Sequence, residues 1–170
     1  MEIYTIGFKE QHDALRSTAA PIPDINDDVV QTANAMLKAM VRGNGIGLAG
    51  PQVGLLQRIF VAKIADDDPL VFINPELIAT SPELSTYEEG CLSIPNQYAD
   101  VERPARIQVQ AWNVRGRPFT MEAGGLLATV IQHEIDHLNG ILFVDRVSEW
   151  KKKRILGHFD VDPSAHTKVE

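Results

Sequence analysis

The sequence predicts an α+β fold, in which mostly antiparallel sheets pack around a central helix, with one further helix toward each end of the chain. Apolar residues recur at helical spacing over 29–41 and again over 126–138, and a third helix is expected over 147–157. Short β-type runs with turn punctuation fill residues 58–120. With 170 residues, 44% of them hydrophobic, the chain can form a substantial core, so we expect a single domain over 1–170.

Composition and charge argue against several classes of protein. A formal net charge of -7 is unlike that of a general DNA- or RNA-binding protein, although it leaves room for a local basic patch. A single cysteine cannot form an internal disulfide, which favours a reducing compartment. Residues 1–10 lack the basic and apolar regions of a secretory signal, and no run of about 18 apolar residues occurs. We therefore expect a soluble cytoplasmic protein with no membrane or DNA partner.

The first predicted helix follows an irregular opening that contains two prolines. Asn26 is a suitable N-cap, and Asp27 and Asp28 place acidic groups in the first turn. The pattern ends at Arg42 and Gly43. The apolar residues that recur at helical spacing are expected to pack in the core: Val29, Val30, Ala33, Met36, Leu37, Met40 and Val41.

A glycine-rich segment follows over residues 43–52, and it contains a GxGxxG pattern from Gly45 to Gly50. A dinucleotide-binding loop needs a strand before this pattern and a helix after it, whereas here a helix precedes it and Pro51 interrupts the exit. A phosphate-binding loop is equally poorly supported, because no Gly-Lys-Ser/Thr follows. We interpret the segment as a loop whose backbone can approach a ligand, with Gln52 offering an amide donor; a plain surface turn is the alternative.

The middle of the chain predicts antiparallel strands with one solvated face, because apolar and polar residues alternate over 107–110. The compositions of two segments, 66–69 and 115–118, are typical of hairpin connections. The clearest strand-forming runs are 59–62, 70–73, 99–102 and 107–112.

The central helix carries two imidazoles one turn apart. His133 and His137 occupy positions i and i+4 and so lie on one face, while Glu134 stands beside the first histidine. This is the HExxH pattern of a metal hydrolase, in which neutral imidazoles bind zinc or iron and a carboxylate outside the ligand set moves a proton. Two glycines at 124–125 predict the start of this helix, and Asn-Gly at 139–140 predicts its C-cap. A buried helix with hydrogen-bonded histidines is the alternative.

A catalytic site usually has a third protein ligand. The metzincin pattern is excluded, because it requires a histidine where this chain has Phe143. Glu149, His158 and His166 are conceivable ligands. Cys91 is the stronger candidate, because it follows a glycine and because a thiolate is a softer, stronger donor than a carboxylate. Its alternative role is that of a small buried hydrophobic residue.

Three separated segments together resemble the motifs of the peptide deformylase family. Residues 45–52 resemble GxGxAAPQ, residues 89–93 read EGCLS, and residues 133–137 carry HExxH, in the order that the family has them. The resemblance implies an enzyme that removes the N-formyl group from the initiator methionine of newly made polypeptides and releases formate. One departure is that Gly50 replaces the second alanine of the first motif, which is expected to loosen the backbone before Pro51.

The resemblance also implies a metal centre, so that the central helix would be a metal-binding helix. Cys91, His133 and His137 would hold one divalent ion, with water at the fourth position. Glu134 would be the general acid and base. The family favours Fe(II), whereas ligand softness alone also allows zinc, nickel or cobalt.

The same resemblance implies how a substrate is bound. Gln52 and the backbone N–H of Leu92 would stabilise the oxyanion, and Gly47 would hydrogen-bond the peptide backbone. Apolar side chains beside these positions are candidate walls for a methionine side chain, with ordinary core packing as the alternative: Ile46, Tyr87, Leu126 and Val130.

The last predicted helix has Ser148 as a candidate cap and a basic run over residues 151–154. A solvated helix face explains such a run, and the family role makes it a candidate contact with ribosomal RNA near the peptide exit. Beyond Gly157, polar composition predicts a frayed tail from about residue 158. The basic residues are Lys151, Lys152, Lys153 and Arg154.

Two rival functions stay open on the residues alone. A zinc peptidase would use Glu149 or another acid as its third ligand and would cleave internal amides. A metal- or peptide-binding module without catalysis would have its open coordination position blocked.

Overall fold

The computed structural model describes residues 1–159, and its elements confirm the α+β class. The helices are α1 (Lys9–Leu15), α2 (Asp27–Arg42), α3 (Gly125–Leu138) and α4 (Glu149–Leu156). The strands are β1 (Gly47–Ala49), β2 (Ile59–Ala62), β3 (Leu70–Thr80), β4 (Leu84–Cys91), β5 (Ile94–Pro104), β6 (Arg106–Trp112) and β7 (Pro118–Gly124). Two short 3-10 turns lie at Gly50–Val53 and Phe143–Arg146.

The strands form two antiparallel sheets. One has five strands in the order β1-β2-β3-β6-β7, and the other is the β4-β5 hairpin. The predicted hairpin connections are confirmed: residues 66–69 lie between β2 and β3, and residues 115–117 lie between β6 and β7, with Pro118 as the first residue of β7. Along β6 the side chains alternate as predicted, with Ile107, Val109 and Ala111 buried.

Helix α3 is the centre of the fold, because it contacts strands of both sheets. Every residue from Ala128 to Leu138 is buried, which is the pattern of a core helix and leaves no wet face. Both predicted ends are confirmed: the helix begins at Gly125, and Asn139 is its C-cap. Gly140 follows with a φ of 73°, where an added Cβ would lie 2.5 Å from the carbonyl oxygen of Arg16.

Helix α2 forms where the sequence predicts it. The side chain of Asn26 accepts a hydrogen bond from the backbone N–H of Val29 at 3.2 Å, so the predicted cap is confirmed. Val29, Ala33, Met36 and Met40 are buried as expected. The prediction is wrong for Val41, which is 56% exposed because it lies about 100° around the helix from Met40.

The opening of the chain is not wholly irregular, since it contains α1. This helix has seven residues, no side-chain cap, and only His12 and Leu15 buried, so it offers too little apolar periodicity to be found from sequence. Strand β4 was also not predicted. Strands β3 and β5 each run for 11 residues, well beyond their predicted apolar runs.

Helix α4 begins as predicted, with the Ser148 hydroxyl accepting from the backbone N–H of Lys151 at 3.3 Å. The predicted solvated basic face is wrong at Lys152, because its side chain is buried and its ammonium lies 2.9 Å from a carboxylate oxygen of Asp145. Of the predicted tail, residues 160–170, which include His166, lie outside the described residues. Within residues 1–159, no helix combines the length and the apolar character needed to cross a membrane.

Candidate metal centre

The structure brings the three predicted ligands together between α3 and the end of β4. The Nε2 atoms of His133 and His137 are 3.2 Å apart, and the Cys91 sulfur lies 3.3 Å from Nε2 of His137. All three ligand atoms lie within 4.8 Å of one another. The two histidines meet because they are one turn apart on α3, and Cys91 joins them where the β4-β5 register shifts between Gly90 and Cys91.

These donors fit a metal ion. Tetrahedral zinc or iron with bonds of about 2.0–2.3 Å would place its ligand atoms roughly 3.3–3.6 Å apart, close to the separations along the cluster. Both histidines are buried and Cys91 is half-buried. Within residues 1–159 no other group of three such side chains converges in this way, so Glu149 and His158 do not supply the third ligand.

Glu89 fixes which nitrogen of His133 faces the cluster. Its carboxylate lies 2.8 Å from Nδ1 of His133, so Nδ1–H donates to Glu89 and Nε2 is left to ligate. Burial alone would raise the pKa of Glu89, but hydrogen bonds from His133 and Arg103 lower it to about 2. Glu89 is therefore anionic over the physiological range.

The two histidines have opposite pKa shifts. Burial would lower the pKa of His133, but hydrogen bonds with Cys91 and Glu89 raise it well above its usual range. Burial, together with the positive charge of His133, lowers the pKa of His137. A cation that binds here must therefore displace a proton from the pair, which makes metal binding weaker at low pH.

Glu89 belongs to a buried ion network that the sequence analysis missed. Arg103 donates to Glu89 at 2.7 and 3.0 Å and to Asp136 at 2.9 Å. Arg146 donates to the other side of Asp136 at 2.8 and 3.1 Å. One signal was available, because Ala99, Val101 and Arg103 alternate inward along β5, and a buried arginine requires carboxylate partners.

Glu134 lies beside the ligands without joining them. Its Oε1 is 4.0 Å from Nε2 of His133, and among the described residues its buried Oε2 has no hydrogen-bond partner. Burial raises the pKa of Glu134 to about 7, against the opposing effect of His133. A carboxyl group with this pKa can both accept and return a proton near neutral pH.

Gln52 presents its amide nitrogen to the cluster. Its Oε1 accepts from the backbone N–H of Ala49 at 2.9 Å, which fixes the orientation of the amide. Its Nε2 lies 3.2 Å from the Ser93 hydroxyl and 3.4 Å from the Cys91 sulfur. The predicted donor is therefore aimed at the metal side of the site by a backbone group.

A cavity of about 520 Å³ adjoins the cluster. Its walls are the glycine segment before and within β1, the β4-β5 hairpin and α3. Tyr87 does not line it, because its hydroxyl lies near the start of α3, 3.5 Å from where a Cβ on Gly125 would be. Tyr98 lines the cavity instead. The predicted substrate-binding residues that do line it are Ile46, Gly47, Leu126 and Val130, and the predicted oxyanion donor Leu92 lines it too.

Two glycines of the first motif are tightly enclosed. A Cβ on Gly47 would lie 2.6 Å from Oε1 of Glu134, so a side chain there would displace this carboxylate. A Cβ on Gly50 would lie 2.6 Å from the carbonyl oxygens of both Leu55 and Gln57. Gly50 therefore lets the following loop pack closely, and whether it also loosens the backbone stays a prediction.

In this α+β fold, one cysteine and the two histidines of an HExxH helix meet beside a buried carboxylate at the edge of a cavity. This arrangement is that of a metal-dependent hydrolase. Comparison with known proteins gives the particular family. The sequence model described as polypeptide deformylase matches residues 3–153, and the chain belongs to this family.

Individual relatives agree with this assignment. A peptide deformylase of Synechococcus sp. (strain CC9902) is 50% identical over 153 residues, which cover 88% of this chain and 74% of that protein. One from Agrobacterium fabrum is 47% identical over 149 residues, or 85% of this chain and 88% of that protein. The crystal structure of a Synechococcus elongatus peptide deformylase in complex with actinonin superposes with a TM-score of 0.90 at 40% identity, covering 99% of this chain and 92% of that one.

Proposed function

We propose that this chain is a hydrolase that removes the N-formyl group from the N-terminal methionine of newly synthesised polypeptides and releases formate. The observation that carries the proposal is the convergence of Cys91, His133 and His137, with the Glu134 carboxylate beside them, at the wall of a cavity. Membership of the polypeptide deformylase family supports the same reaction.

Cys91, His133 and His137 are the proposed ligands of one divalent ion per chain. We propose Fe(II) as the working ion, because the family resemblance favours it, with zinc, nickel or cobalt as substitutes that the same donors accept. When bound, such an ion lowers the pKa of a coordinated water and polarises the carbonyl group to be cleaved. Because both the ion and the thiolate are oxidisable, activity is expected to decay in air.

Glu134 is proposed to carry the proton. A pKa of about 7 lets its carboxylate take a proton from the attacking water and give it to the leaving amine. Its place beside His133, outside the ligand set, supports this role. Gly47 leaves room for the carboxylate in this position, because a Cβ at residue 47 would lie 2.6 Å from its Oε1.

Gln52 and the backbone N–H of Leu92 are proposed to stabilise the oxyanion. Attack on the formyl carbon moves negative charge onto the formyl oxygen, which then needs donors that are already oriented. The hydrogen bond from Ala49 supports this role for Gln52, because it keeps the amide nitrogen toward the site. Loss of one such donor typically raises the barrier by about 2.7–4 kcal/mol.

The substrate peptide is proposed to pair with the backbone at Gly47. Strand β1 is at the edge of the five-stranded sheet, so its outer side can accept an added strand. Ile46, Leu126 and Val130 line the adjoining cavity and are proposed to contact the methionine side chain. Burial of that side chain contributes roughly 1.5–3 kcal/mol, enough for a preference and too little for strict exclusion of leucine-like analogues.

Formate release from a formyl-methionyl peptide tests the proposed reaction. Protein prepared without oxygen and loaded with Fe(II) should release one formate per peptide, and the metal-stripped protein should not. A formyl-alanyl peptide with the same following residues should be a poorer substrate. Metal-loaded protein that releases no formate would overturn the reaction, and equal efficiency on the two peptides would remove the methionine pocket.

Ribosome contact is proposed for the residues of the basic run that Asp145 does not hold. Lys152 is occupied by Asp145, which leaves Lys151, Lys153 and Arg154, and the Arg154 guanidinium lies 5.2 Å from the ring centre of Trp150. Neutralising the three should reduce co-sedimentation with ribosomes at low salt, since such binding depends on charge. Unchanged co-sedimentation would dismiss this contact. Because newly made chains are the proposed substrate, we also propose a cytoplasmic location. We propose that residues 1–170 form one catalytic domain.

A further inference from the structure

A series of buried ion pairs leads from His133 away from the cavity. Arg103 lies between two carboxylates, those of Glu89 and Asp136, and Arg146 holds Asp136 from the far side. The side chain of Arg146 is 35% exposed, whereas that of Arg103 is 5% exposed, so Arg146 is the outer end of the series. Arg146 does not line the cavity, and the reaction proposed above makes no use of it.

We propose that Arg146 is a positioning residue of the metal centre. It touches neither the ligands nor the cavity. The proposal rests on the proposed metal site and extends its support to a residue at the surface. The contacts run inward from Arg146 in this order: Asp136, Arg103, Glu89 and His133.

Asp136 divides its charge between two guanidinium groups. Arg146 donates to its Oδ1 at 2.8 Å and to its Oδ2 at 3.1 Å, and Arg103 donates to the same Oδ2 at 2.9 Å. Without Arg146, Arg103 would be the only cation among residues 1–159 that pairs with the buried Asp136 carboxylate. Because an unbalanced buried charge is costly, Arg103 would be drawn toward Asp136.

A shift of Arg103 would reach His133 through Glu89. The Nε and Nη2 atoms of Arg103 both donate to Glu89, and Oε1 of Glu89 accepts from Arg103 and from Nδ1 of His133. Moving the guanidinium toward Asp136 lengthens its bonds to Glu89, so Glu89 becomes less firmly placed. The imidazole that it orients then spends less time aimed at the ion.

The fold supplies a matched control for this proposal. Asp145 is also buried and also held by two cations, Arg16 and Lys152. Lys152→Met removes one of these cations and leaves the aspartate with an arginine, as Arg146→Met does for Asp136. Neither Asp145 nor Lys152 contacts the metal ligands or Glu89 among the interactions of the described residues.

The experiment measures zinc affinity by competition with a chromophoric chelator, for wild type, Arg146→Met, Arg146→Lys and Lys152→Met. Arg146→Met should weaken zinc binding about threefold to tenfold, less than the 10–100-fold typical of a direct partner of a ligand. Arg146→Lys should recover part of the loss. Lys152→Met should lower the urea midpoint and leave zinc affinity unchanged. In zinc-loaded protein, the proton NMR signal of the His133 Nδ1–H should shift in Arg146→Met only.

The outcomes separate this proposal from the proposed function. Wild-type protein that binds no zinc would contradict the metal site itself. Zinc binding in wild type with unchanged affinity and an unmoved His133 signal in both Arg146 variants would give Arg146 a structural role only. If Arg146→Met does not fold, the test is made with Arg146→Lys. The proposal then requires that Arg146→Lys binds zinc slightly more weakly than wild type while Lys152→Met binds zinc as wild type does.

Discussion

Two aspartates with buried side chains, Asp136 in α3 and Asp145 in the 3-10 turn that follows it, have the same chemistry and different consequences. Asp136 lies between Arg103 and Arg146, and Asp145 lies between Arg16 and Lys152. The Asp136 cluster continues through Glu89 to a metal-ligating histidine, so its geometry reaches the site. Among the described residues, no hydrogen bond leads from the Asp145 cluster to a metal ligand.

The Asp145 cluster joins three parts of the fold. Its cations come from the end of α1 and from α4, and its carboxylate also accepts from the backbone N–H of Leu142 at 3.0 Å. Apolar residues next to its members in sequence, such as Leu15 and Val144, belong to one buried cluster. The difference shows that the role of a buried ion pair cannot be inferred from its burial alone. The role depends on which further residues the pair contacts.

Glu134→Gln should have the largest effect on turnover. Glu134 lies beside the metal ligands, as the Asp136 cluster does and the Asp145 cluster does not. The amide has nearly the same shape but cannot transfer the proton, so turnover should fall by roughly 10²–10⁴-fold. Zinc content and the urea midpoint should stay at wild-type values, because Glu134 is outside the ligand set. Substantial residual turnover would assign proton transfer to another group.

Arg103→Met should weaken both metal binding and the fold. It leaves Glu89 and Asp136 without their shared cation, and removal of one member of a buried ion cluster typically costs about 3–5 kcal/mol of unfolding free energy. Because Glu89 orients His133, zinc affinity should also fall roughly 10–100-fold. Arg103→Lys should lie between this variant and wild type. Unaltered zinc affinity in Arg103→Met would show that the Asp136 cluster does not support the metal centre.

Asp145→Asn should weaken the fold alone. It leaves Arg16 and Lys152 facing a neutral amide, so the free energy of unfolding should fall by up to about 3–5 kcal/mol at pH 7, while zinc affinity is kept. A fall in zinc affinity equal to that of Arg103→Met would erase the distinction between the two clusters.

The pH dependence of this variant gives an independent check. Burial would raise the pKa of Asp145, but hydrogen bonding and the charge of Arg16 lower it below its usual range. Its stabilising effect is therefore present above the unfolded pKa of about 4 and is lost as pH falls through the lower folded value. Urea unfolding from pH 7 to 3 should show the wild-type advantage shrinking below about pH 4. A constant difference would contradict the assignment.

Gly50→Ala should have the smallest effect. It restores the alanine of the family motif, yet its Cβ would lie 2.6 Å from two carbonyl oxygens, so the loop over residues 55–57 must move. The expected cost is about 1–3 kcal/mol of unfolding free energy, with a modest loss of turnover because Gln52 is in the same 3-10 turn. Gly7→Ala is the control, since its nearest neighbour lies 3.8 Å away. Equal stability of both variants would show that the loop adapts freely.

Local patterns were enough to predict the helix that carries the chemistry. His133 and His137 meet because of helix geometry alone, and α2 and α4 followed from periodicity and caps. Thiolate chemistry favours Cys91 as the third ligand and the motif resemblance implies the same residue, and the structure places it within reach of both imidazoles. These features depend on residues that are close in sequence or on a specific motif.

Contacts between distant residues escaped prediction. Arg103 meets Glu89 and Asp136 across separations of 14 and 33 positions, which no periodicity encodes. The position of Tyr87 two residues before Glu89 predicts a cavity wall, whereas packing of β4 against α3 places its hydroxyl beside Gly125 at the start of that helix. Lys152 was assigned to solvent by its basic neighbours, although Asp145 holds it in the interior. Each of these depends on how elements pack.

Anomalous diffraction at the zinc edge, on crystals of the zinc-loaded protein, tests the central claim most directly. One peak per chain should lie within bonding distance of the Cys91 sulfur and of Nε2 of both His133 and His137, with the fourth position facing the cavity. A peak at any other donor set, or a fourth protein side chain bonded to the ion, would contradict the account.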